Sequence, residues 1–307
     1  MLIALLCIGA VLLDYWQGEP PRWHPLVGFG WLARRVEALC YGPPALNGGF
    51  RRGRGIGAVV ILLVPFALAA WPLTAVPVSG SAVALGLLYL ALGARSLAEH
   101  AEAVAAALQA GDLPLARERV GRIVSRDADD LDEEQISRAT VESVLENGCD
   151  AVFGALFWFV AAWAPGVVLY RLANTLDAMW GYRTPRYRDF GWAAARLDDL
   201  LNWVPARLTA LSYVAVGAKP ALAWRCWREQ APRWKSPNAG PVMAAGAGAL
   251  GLALGGHARY HGEWSARPAL GEGLAPRADD IGRAVALLRR ALLLWLVAIL
   301  AGGLLVA

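Results

Sequence analysis

Seven apolar stretches, at about 1–13, 56–77, 80–94, 151–173, 205–221, 240–256 and 285–307, alternate with blocks dense in arginine and acidic residues. Hydrophobic residues make up 57% of the 307-residue chain, and the mean hydropathy is +0.41. A water-soluble domain of this length needs far fewer apolar residues, so the pattern specifies a bilayer as solvent. A hydrocarbon core of ~30 Å takes roughly 20 helical residues to cross, and 56–77 and 285–307 meet that comfortably. The predicted fold class is therefore all-α. It is a polytopic integral membrane helical bundle, one membrane-embedded domain over 1–307 with a soluble helical insertion at 95–150.

Residues 56–94 read as a helical hairpin turned near Pro77–Ser81. The stretch 151–173 is interrupted by Pro165-Gly166, a pair that breaks helices. Its first arm, Ala151–Ala164, reaches only about 21 Å at ~1.5 Å per residue, too short to cross. A re-entrant hairpin bent at Pro165-Gly166 is the expectation, because broken helices are tolerated where protein lines a cavity. The run after Gly240, PVMAAGAGALGLALGG, is nearly all small residues and suits close helix packing better than lipid contact. The N-terminal MLIALLCIGAVLLDYW lacks a basic leader region and an A-x-A site, and reads as a retained short first membrane helix.

The formal charge is +4, and only two of the 29 basic residues, Lys219 and Lys235, are lysines. Genomic base composition explains such a bias, and so does a need for bidentate contacts to phosphate or carboxylate. No basic helix or aromatic–basic repeat points to nucleic acid. The four cysteines show no paired spacing, which argues against a disulfide framework or a metal knuckle. Clusters at Arg34-Arg35, Arg51–Arg54 and Arg225–Lys235 favour a cytoplasmic setting for those loops.

Chemistry-bearing residues concentrate outside the apolar stretches. In DDLDEEQISRATVESVLENGCD (129–150), Asp130 and Glu133 fit a capping box that would start a helix. Glu134, Arg138, Glu142, Glu146 and Asp150 then recur every four residues, and repelling carboxylates at that spacing call for a cation or further arginine. A solvated helix face is the plainer reading. Upstream, GRIVSRD supplies Arg122, Arg126 and Asp127. The block NTLDAMWGYRTPRYRDFGWAAARLDDLLNW (174–203) places Asp198-Asp199 beside Arg196, either a Mg²⁺ and phosphate site or an ordinary i,i+3 ion pair. Its Arg183, Arg186 and Arg188, interleaved with Tyr182, Tyr187 and Trp192, suit a large flat anion. In SPNAGP, Ser236 or Asn238 can cap the small-residue helix, and free N–H groups there attract anions. LDYWQGEPPRWHP offers Asp14, Glu19 and His24. His257 and His261 have i,i+4 spacing but are flanked by glycines. No Walker-type GxxxxGK[ST], G-x-S-x-G or CxxC motif is present.

Together, LDYWQGEPPRWHP, GRIVSRD, LDEEQISRATVESVLENGCDAVFGALFW, NTLDAMWGYRTPRYRDFGWAAARLDDLLNWVPARL, KSPNAGPVMAAGAGALG and LGEGLAPRADDIGRAVAL resemble the adenosylcobinamide-phosphate synthase (CobD/CbiB) family of cobalamin biosynthesis. Two departures stand out. Glu19 replaces a frequent Asp, and Asn147-Gly148-Cys149 replaces an Asn-Thr-Ser-like run. The resemblance implies a multi-pass inner-membrane enzyme, in contact with membrane lipid, whose active site faces the cytoplasm. It implies ATP-dependent amide formation between adenosylcobyric acid and (R)-1-aminopropan-2-ol or its O-phosphate, with ATP and Mg²⁺ as cofactors. Partners left open are a second copy of the chain or other corrinoid-pathway enzymes.

Such a reaction asks for metal ligands, cations over a phosphoryl group and a base for the ammonium proton. The expected metal ligands are Asp198, Asp199 and Asp127. The expected cofactor-binding set is Arg122, Arg126, Arg186, Arg196, Ser236 and Asn238. The expected catalytic set is Glu142, Glu146 and Arg138, with Glu142 or Glu146 as base. Trp192 and Trp203 are candidates to lie along a corrin ring or to anchor at the membrane interface. The alternative from another class is a small-solute or ion transporter, whose polar groups would sit at mid-bilayer. A membrane-anchored sensor accounts for the hydrophobicity but not for the Arg–Asp–aromatic density.

Overall fold

The structure, a computed structural model, describes residues 1–20, 24–43, 46–77, 79–260 and 262–306. The described chain is helical apart from four strands of two or three residues. In order the helices are α1 (Leu2–Gln17), α2 (Pro25–Cys40), α3 (Gly48–Ala75), α4 (Ser79–Ala91), α5 (Ala94–Gln109), α6 (Leu113–Val120) and α7 (Glu133–Gly148). There follow α8 (Gly154–Trp180), α9 (Tyr187–Phe190), α10 (Trp192–Leu201), α11 (Trp203–Val216), α12 (Pro220–Gln230), α13 (Ala239–Leu250) and α14 (Ala278–Leu305). Four helical runs are long and apolar enough to cross a membrane: Gly48–Ala75, Ser79–Gln109, Glu133–Trp180 and Ala278–Leu305. The protein is thus a helical membrane protein, as its apolar pattern predicts.

The chain forms two compact units. The first comprises Met1–Gly93 with Gly154–Asn202, and the second Ala94–Phe153 with Trp203–Ala307. The segment 95–150 is helical and falls in the same compact unit as Trp203–Ala307.

In the first unit, α3 and α4 form the expected hairpin. A Cβ on Gly80 would lie 2.4 Å from the Thr74 carbonyl oxygen, so only glycine lets the chain turn so tightly. Helix α8 also reverses. Its bend lies at Ala162 (φ −140°, ψ 20°) and Trp163 (φ 58°, ψ −154°), two residues before the expected Pro165-Gly166. The shift has a simple cause: proline is at home in the first turn of a helix, so Pro165 opens the second arm instead of ending the first. Closure is shown by Gly154 and Tyr170, which in a straight helix would stand about 24 Å apart at ~1.5 Å per residue. Instead, a Cβ on Gly154 would meet the Tyr170 hydroxyl at 2.0 Å. Trp163 occupies a backbone region used mainly by glycine, which costs about 1–3 kcal/mol. Its ring stacks on Phe159 at 4.9 Å between centroids, which offsets part of that cost.

In the second unit, α13 lies at the centre and every one of its residues is buried. Its glycines allow close approach: a Cβ on Gly246 would meet Leu145 at 2.5 Å, and one on Gly248 would meet the Ala223 backbone at 2.7 Å. It ends at Gly251 in the left-handed conformation (φ 67°), the usual glycine stop. Helix α7 is capped by Asp132 with Gln135, not by Asp130 with Glu133. The Gln135 N–H donates to Asp132 at 2.8 Å, and the Asp132 N–H donates to the Gln135 side chain at 3.0 Å. Asp130 is otherwise engaged, paired with Arg259 at 2.8 Å. Two short antiparallel strand pairs, Leu254–Gly255 with Ala269–Leu270 and Ala258–Tyr260 with Glu263–Ser265, follow α13.

Candidate functional site

The second unit holds a buried ionic node on α7. Glu142 is 2% exposed and sits between the guanidinium groups of Arg126 and Arg267, themselves 10% and 9% exposed. Arg126 donates to one oxygen, Arg267 donates to both at 2.9 and 3.1 Å, and the Gly255 N–H donates at 2.8 Å. Arg267 is further fixed by donating to the Gly256 and Gly255 carbonyls at 3.1 and 3.3 Å, and it lies over the Trp234 ring at 5.4 Å. Its contacts with Glu142 keep Arg267 above the ordinary arginine range, against the opposing pull of burial. Two arginines against one carboxylate leave the node net positive.

This arrangement fixes what Glu142 can do. A carboxylate accepting four charge-assisted or backbone bonds has both oxygens occupied and none aimed at a substrate proton. It therefore fits a structural counter-ion, not the base expected from its spacing. Glu146, one turn further along α7, is half-buried. Arg138 is paired with Glu134, and its Nη1 lies 3.8 Å from the point where a Gly256 side chain would begin. Arg126 and Arg138 thus flank the Gly255-Gly256 turn. Only one N–H of Arg126 is engaged with Glu142 among the described hydrogen bonds.

Other expected residues of this unit have local duties. Arg122 forms an exposed i,i+4 pair with Glu118 at 2.6 Å. Asp127 ties down a turn, accepting from Arg259 at 3.2 Å and from the Gly262 N–H at 2.8 Å. Ser236 accepts from the Asn238 and Ala239 N–H groups at 3.3 and 3.1 Å, so the capping role falls to it. Asn238 accepts from Arg207 at 3.1 Å. His257 is described, but its expected partner His261 lies outside the described residues.

In the first unit three separate sequence segments meet. Asp198 on α10 is largely buried and held by amides alone: Asn174 donates at 3.2 Å, and Asn202 donates at 3.2 and 3.1 Å. Asn202 is itself oriented by the Tyr170 hydroxyl, which donates to it at 2.8 Å. Burial pushes the Asp198 carboxyl above the usual carboxylate range, and the neighbouring Asp199 adds to the push. Asp199 is also raised by burial, opposed by Arg196 and Arg183. The Arg196–Asp199 pair, at 3.4 Å with a well-exposed arginine, is the ordinary i,i+3 contact. From the loop after α1, His24 caps α2 by accepting from the Leu26 N–H at 3.2 Å. Burial holds its ring below the ordinary histidine range, with Glu19 opposing and Arg171 reinforcing. Arg171 in turn points an N–H at Asn174 at 3.5 Å, and its buried Nε has no hydrogen-bond partner among the described residues.

Arg186 is bound up elsewhere in this unit. It grips the buried Glu37 through Nε and Nη2 at 2.9 and 2.6 Å, and Trp180 and Tyr187 donate to the same carboxylate at 3.1 and 3.2 Å. Those bonds raise the Arg186 pKa, so it is a cation whose charge is already matched. Among the described residues no group of three or more His, Cys, Asp or Glu side chains is arranged to hold a metal ion. Asp127 belongs to one unit and Asp198-Asp199 to the other, each with its own partners.

Sequence reasoning missed Arg267, Glu37, Asn174 and Arg171. Arg267 and Glu37 sit in loop or amphipathic contexts with no flanking motif, and their partners lie 125 and 149 residues away. Asn174 lies in the polar block 174–203, but 24 residues separate it from Asp198, so only the fold brings the two together.

Residues 7–288 match the family described as CobD/Cbib protein. Three relatives each bear the name Cobalamin biosynthesis protein CobD. That of Chromobacterium violaceum is 62% identical over 301 residues, covering 97% of this chain and 96% of the relative. That of Stutzerimonas stutzeri is 58% identical over 303 residues, covering 99% of each. That of Mycobacterium tuberculosis is 43% identical over 282 residues, covering 91% and 88%. No solved structure matches the chain. A match of this length and identity, on a helical membrane chain that carries both the Asp-Asp and the Arg–Glu–Arg groups, makes this protein a member of the CobD/CbiB family of cobalamin biosynthesis.

Proposed function

We propose that the chain is an ATP-dependent amide-forming ligase that joins adenosylcobyric acid to (R)-1-aminopropan-2-ol or its O-phosphate, giving adenosylcobinamide or its phosphate. The observation that carries this reading is the Asp198-Asp199 pair. Asp198 is largely buried, oriented by two amides and paired with no arginine among the described residues, which is the electrostatic condition a hard cation relieves. Mg²⁺ needs only one or two protein carboxylates when phosphates complete its shell, so this pair fits it without a three-residue cage. ATP with that ion would supply a leaving group for the carboxylate oxygen, since hydroxide does not leave unaided.

The chain's own residues have separable tasks. Asp198 and Asp199 would hold the cation, and Asn174 and Asn202 keep Asp198 in its rotamer. Arg171, with an unmatched donor, and Arg196 at the rim stabilise phosphate charge. In the second unit, Arg126 and Arg138 present positive charge for a carboxylate or phosphate of a substrate. Within the second unit, Glu146, one turn along α7 from Glu142, is the candidate to take an ammonium proton. Trp192 and Trp203 are 41% and 52% exposed, and each carries an arginine near its face. Both could stack on a planar ring. The enzyme is placed in the inner membrane with its reactive groups toward the cytoplasm, where corrinoid and ATP reside.

Purified protein in detergent, given adenosylcobyric acid, ATP, Mg²⁺ and aminopropanol phosphate, should yield the amide by mass spectrometry. Asp199→Asn should fold normally and lower turnover by more than about hundredfold, as loss of a metal ligand does. Full activity in that variant would end the metal assignment. Solute uptake into liposomes without amide product would support a transporter instead.

A further inference from the structure

Helix α14 carries an outward stripe that changes character within one turn. Its first part presents Arg283, Arg289 and Arg290, and its continuation presents Leu293, Leu294 and Val297, which are 63%, 38% and 55% exposed. Arg283 to Arg290 rises about 10 Å at ~1.5 Å per residue, comparable to the polar layer of ~5–8 Å on each side of a bilayer core. The apolar continuation belongs to one of the membrane-crossing runs. The arginines therefore sit at the headgroup level by the helix's own geometry.

They also border a cavity. About 550 Å³ opens at this stripe, floored by Ala218, Ala249 and Ala286 and rimmed by the three arginines. Arg283 is fixed by Asp280 and by donating to the Leu250 carbonyl at 2.6 Å. Arg289 pairs with Glu102 at 2.9 Å. Arg290 makes no ion pair or hydrogen bond among the described residues. Two carboxylates against three arginines leave one positive charge unmatched, facing a groove whose lower wall is hydrocarbon.

We propose that this groove binds the phosphodiester headgroup of one anionic membrane lipid, such as phosphatidylglycerol, with its acyl chains along Leu293, Leu294 and Val297. A phosphodiester supplies the one negative charge the arginines lack, and no soluble anion would use the apolar continuation. A zwitterionic choline headgroup would bring its own cation against Arg290. The site is independent of the catalytic reading, since it involves none of the residues assigned to the reaction.

The full chain in nanodiscs of equal phosphatidylcholine and phosphatidylglycerol, released for native mass spectrometry, should retain one phosphatidylglycerol in preference to phosphatidylcholine. Each of Arg289→Gln and Arg290→Gln should weaken retention roughly fivefold, the worth of one basic side chain at an anionic surface. Arg228→Gln, on exposed α12, should leave it unchanged, and the Arg289→Lys, Arg290→Lys pair should preserve it. High salt should strip the lipid from the unaltered protein. Equal retention of both lipids, equal loss in Arg228→Gln, or displacement by millimolar inorganic phosphate would overturn the proposal.

Discussion

Replacing Glu142 by glutamine tests whether the buried node is a structural lock or a catalytic group. The native carboxylate takes bonds from Arg126, from both Nη atoms of Arg267 and from the Gly255 N–H. Glutamine keeps the shape, but it leaves two guanidinium groups, each about 10% exposed or less, without a counter-charge. Removing one partner from such a buried set costs about 3–5 kcal/mol. Arg267→Gln removes two charge-assisted bonds but leaves the carboxylate its Arg126 partner and the Gly255 N–H, so it should cost less than Glu142→Gln. The double variant keeps a single guanidinium able to turn toward water. It should be less damaging than the sum of the singles by at least ~1 kcal/mol. Apparent melting in detergent should follow the order Glu142→Gln below Arg267→Gln below the unaltered protein. At roughly 2–4 °C per kcal/mol, Glu142→Gln should melt about 6–20 °C below the unaltered protein. If Glu142→Gln melts with the unaltered protein but cannot turn over, the carboxylate is a free functional base and the structural reading is wrong.

The hairpin in α8 predicts that Gly154→Ala, which drives a methyl into the Tyr170 hydroxyl, costs about 1–3 kcal/mol by overpacking. Adding Tyr170→Phe should recover part of it in the same melts. His24 is held below its ordinary pKa by burial, so the unfolded chain binds its proton first and stability falls as pH drops through ~6.5. His24→Asn, which can still cap α2, should flatten melting temperature against pH between about 5 and 7. Glu37→Gln should destabilise the first unit by about 1.5–3 kcal/mol through the lost Arg186 bonds. Limited proteolysis between Tyr182 and Arg188 should then speed up, whereas Arg188→Gln, which touches only a long 3.8 Å contact to Asp189, should leave both melting and cleavage alone.

Periodicity and length located the elements but not their ends. The stretch 56–77 belongs to α3, which begins earlier, at Gly48, because Arg51, Arg52 and Arg54 are compatible with a water-facing helical turn. Hydropathy sees them as loop. The bend in α8 was legible as a break but misplaced, since Pro165 serves equally as a stop or as a first-turn residue. Asp130 and Asp132 both satisfy capping-box spacing with a residue three on, and only the distant Arg259 decides between them. The requirement for cations beside the α7 carboxylates was readable from like-charge spacing. Their identity was not, because Arg267 reaches Glu142 only through the fold. Asp198-Asp199 was found from its Asp-Asp-Arg signature, yet one of the two amides that hold Asp198, that of Asn174, comes from a helix 24 residues upstream.

Helix α13 is as apolar as any stretch in the chain, yet none of its twelve residues meets the outside. Hydropathy alone would count it as a crossing, whereas its small-residue composition marks it as an inner mast. A second result concerns mutational tolerance. Except at Ala249 and Leu250, which border the cavity beside α14, the helix has no position at which a larger side chain can lean outward. Each enlargement must be answered at once on the surrounding helices. In a saturation library α13 should therefore rank among the least permissive segments.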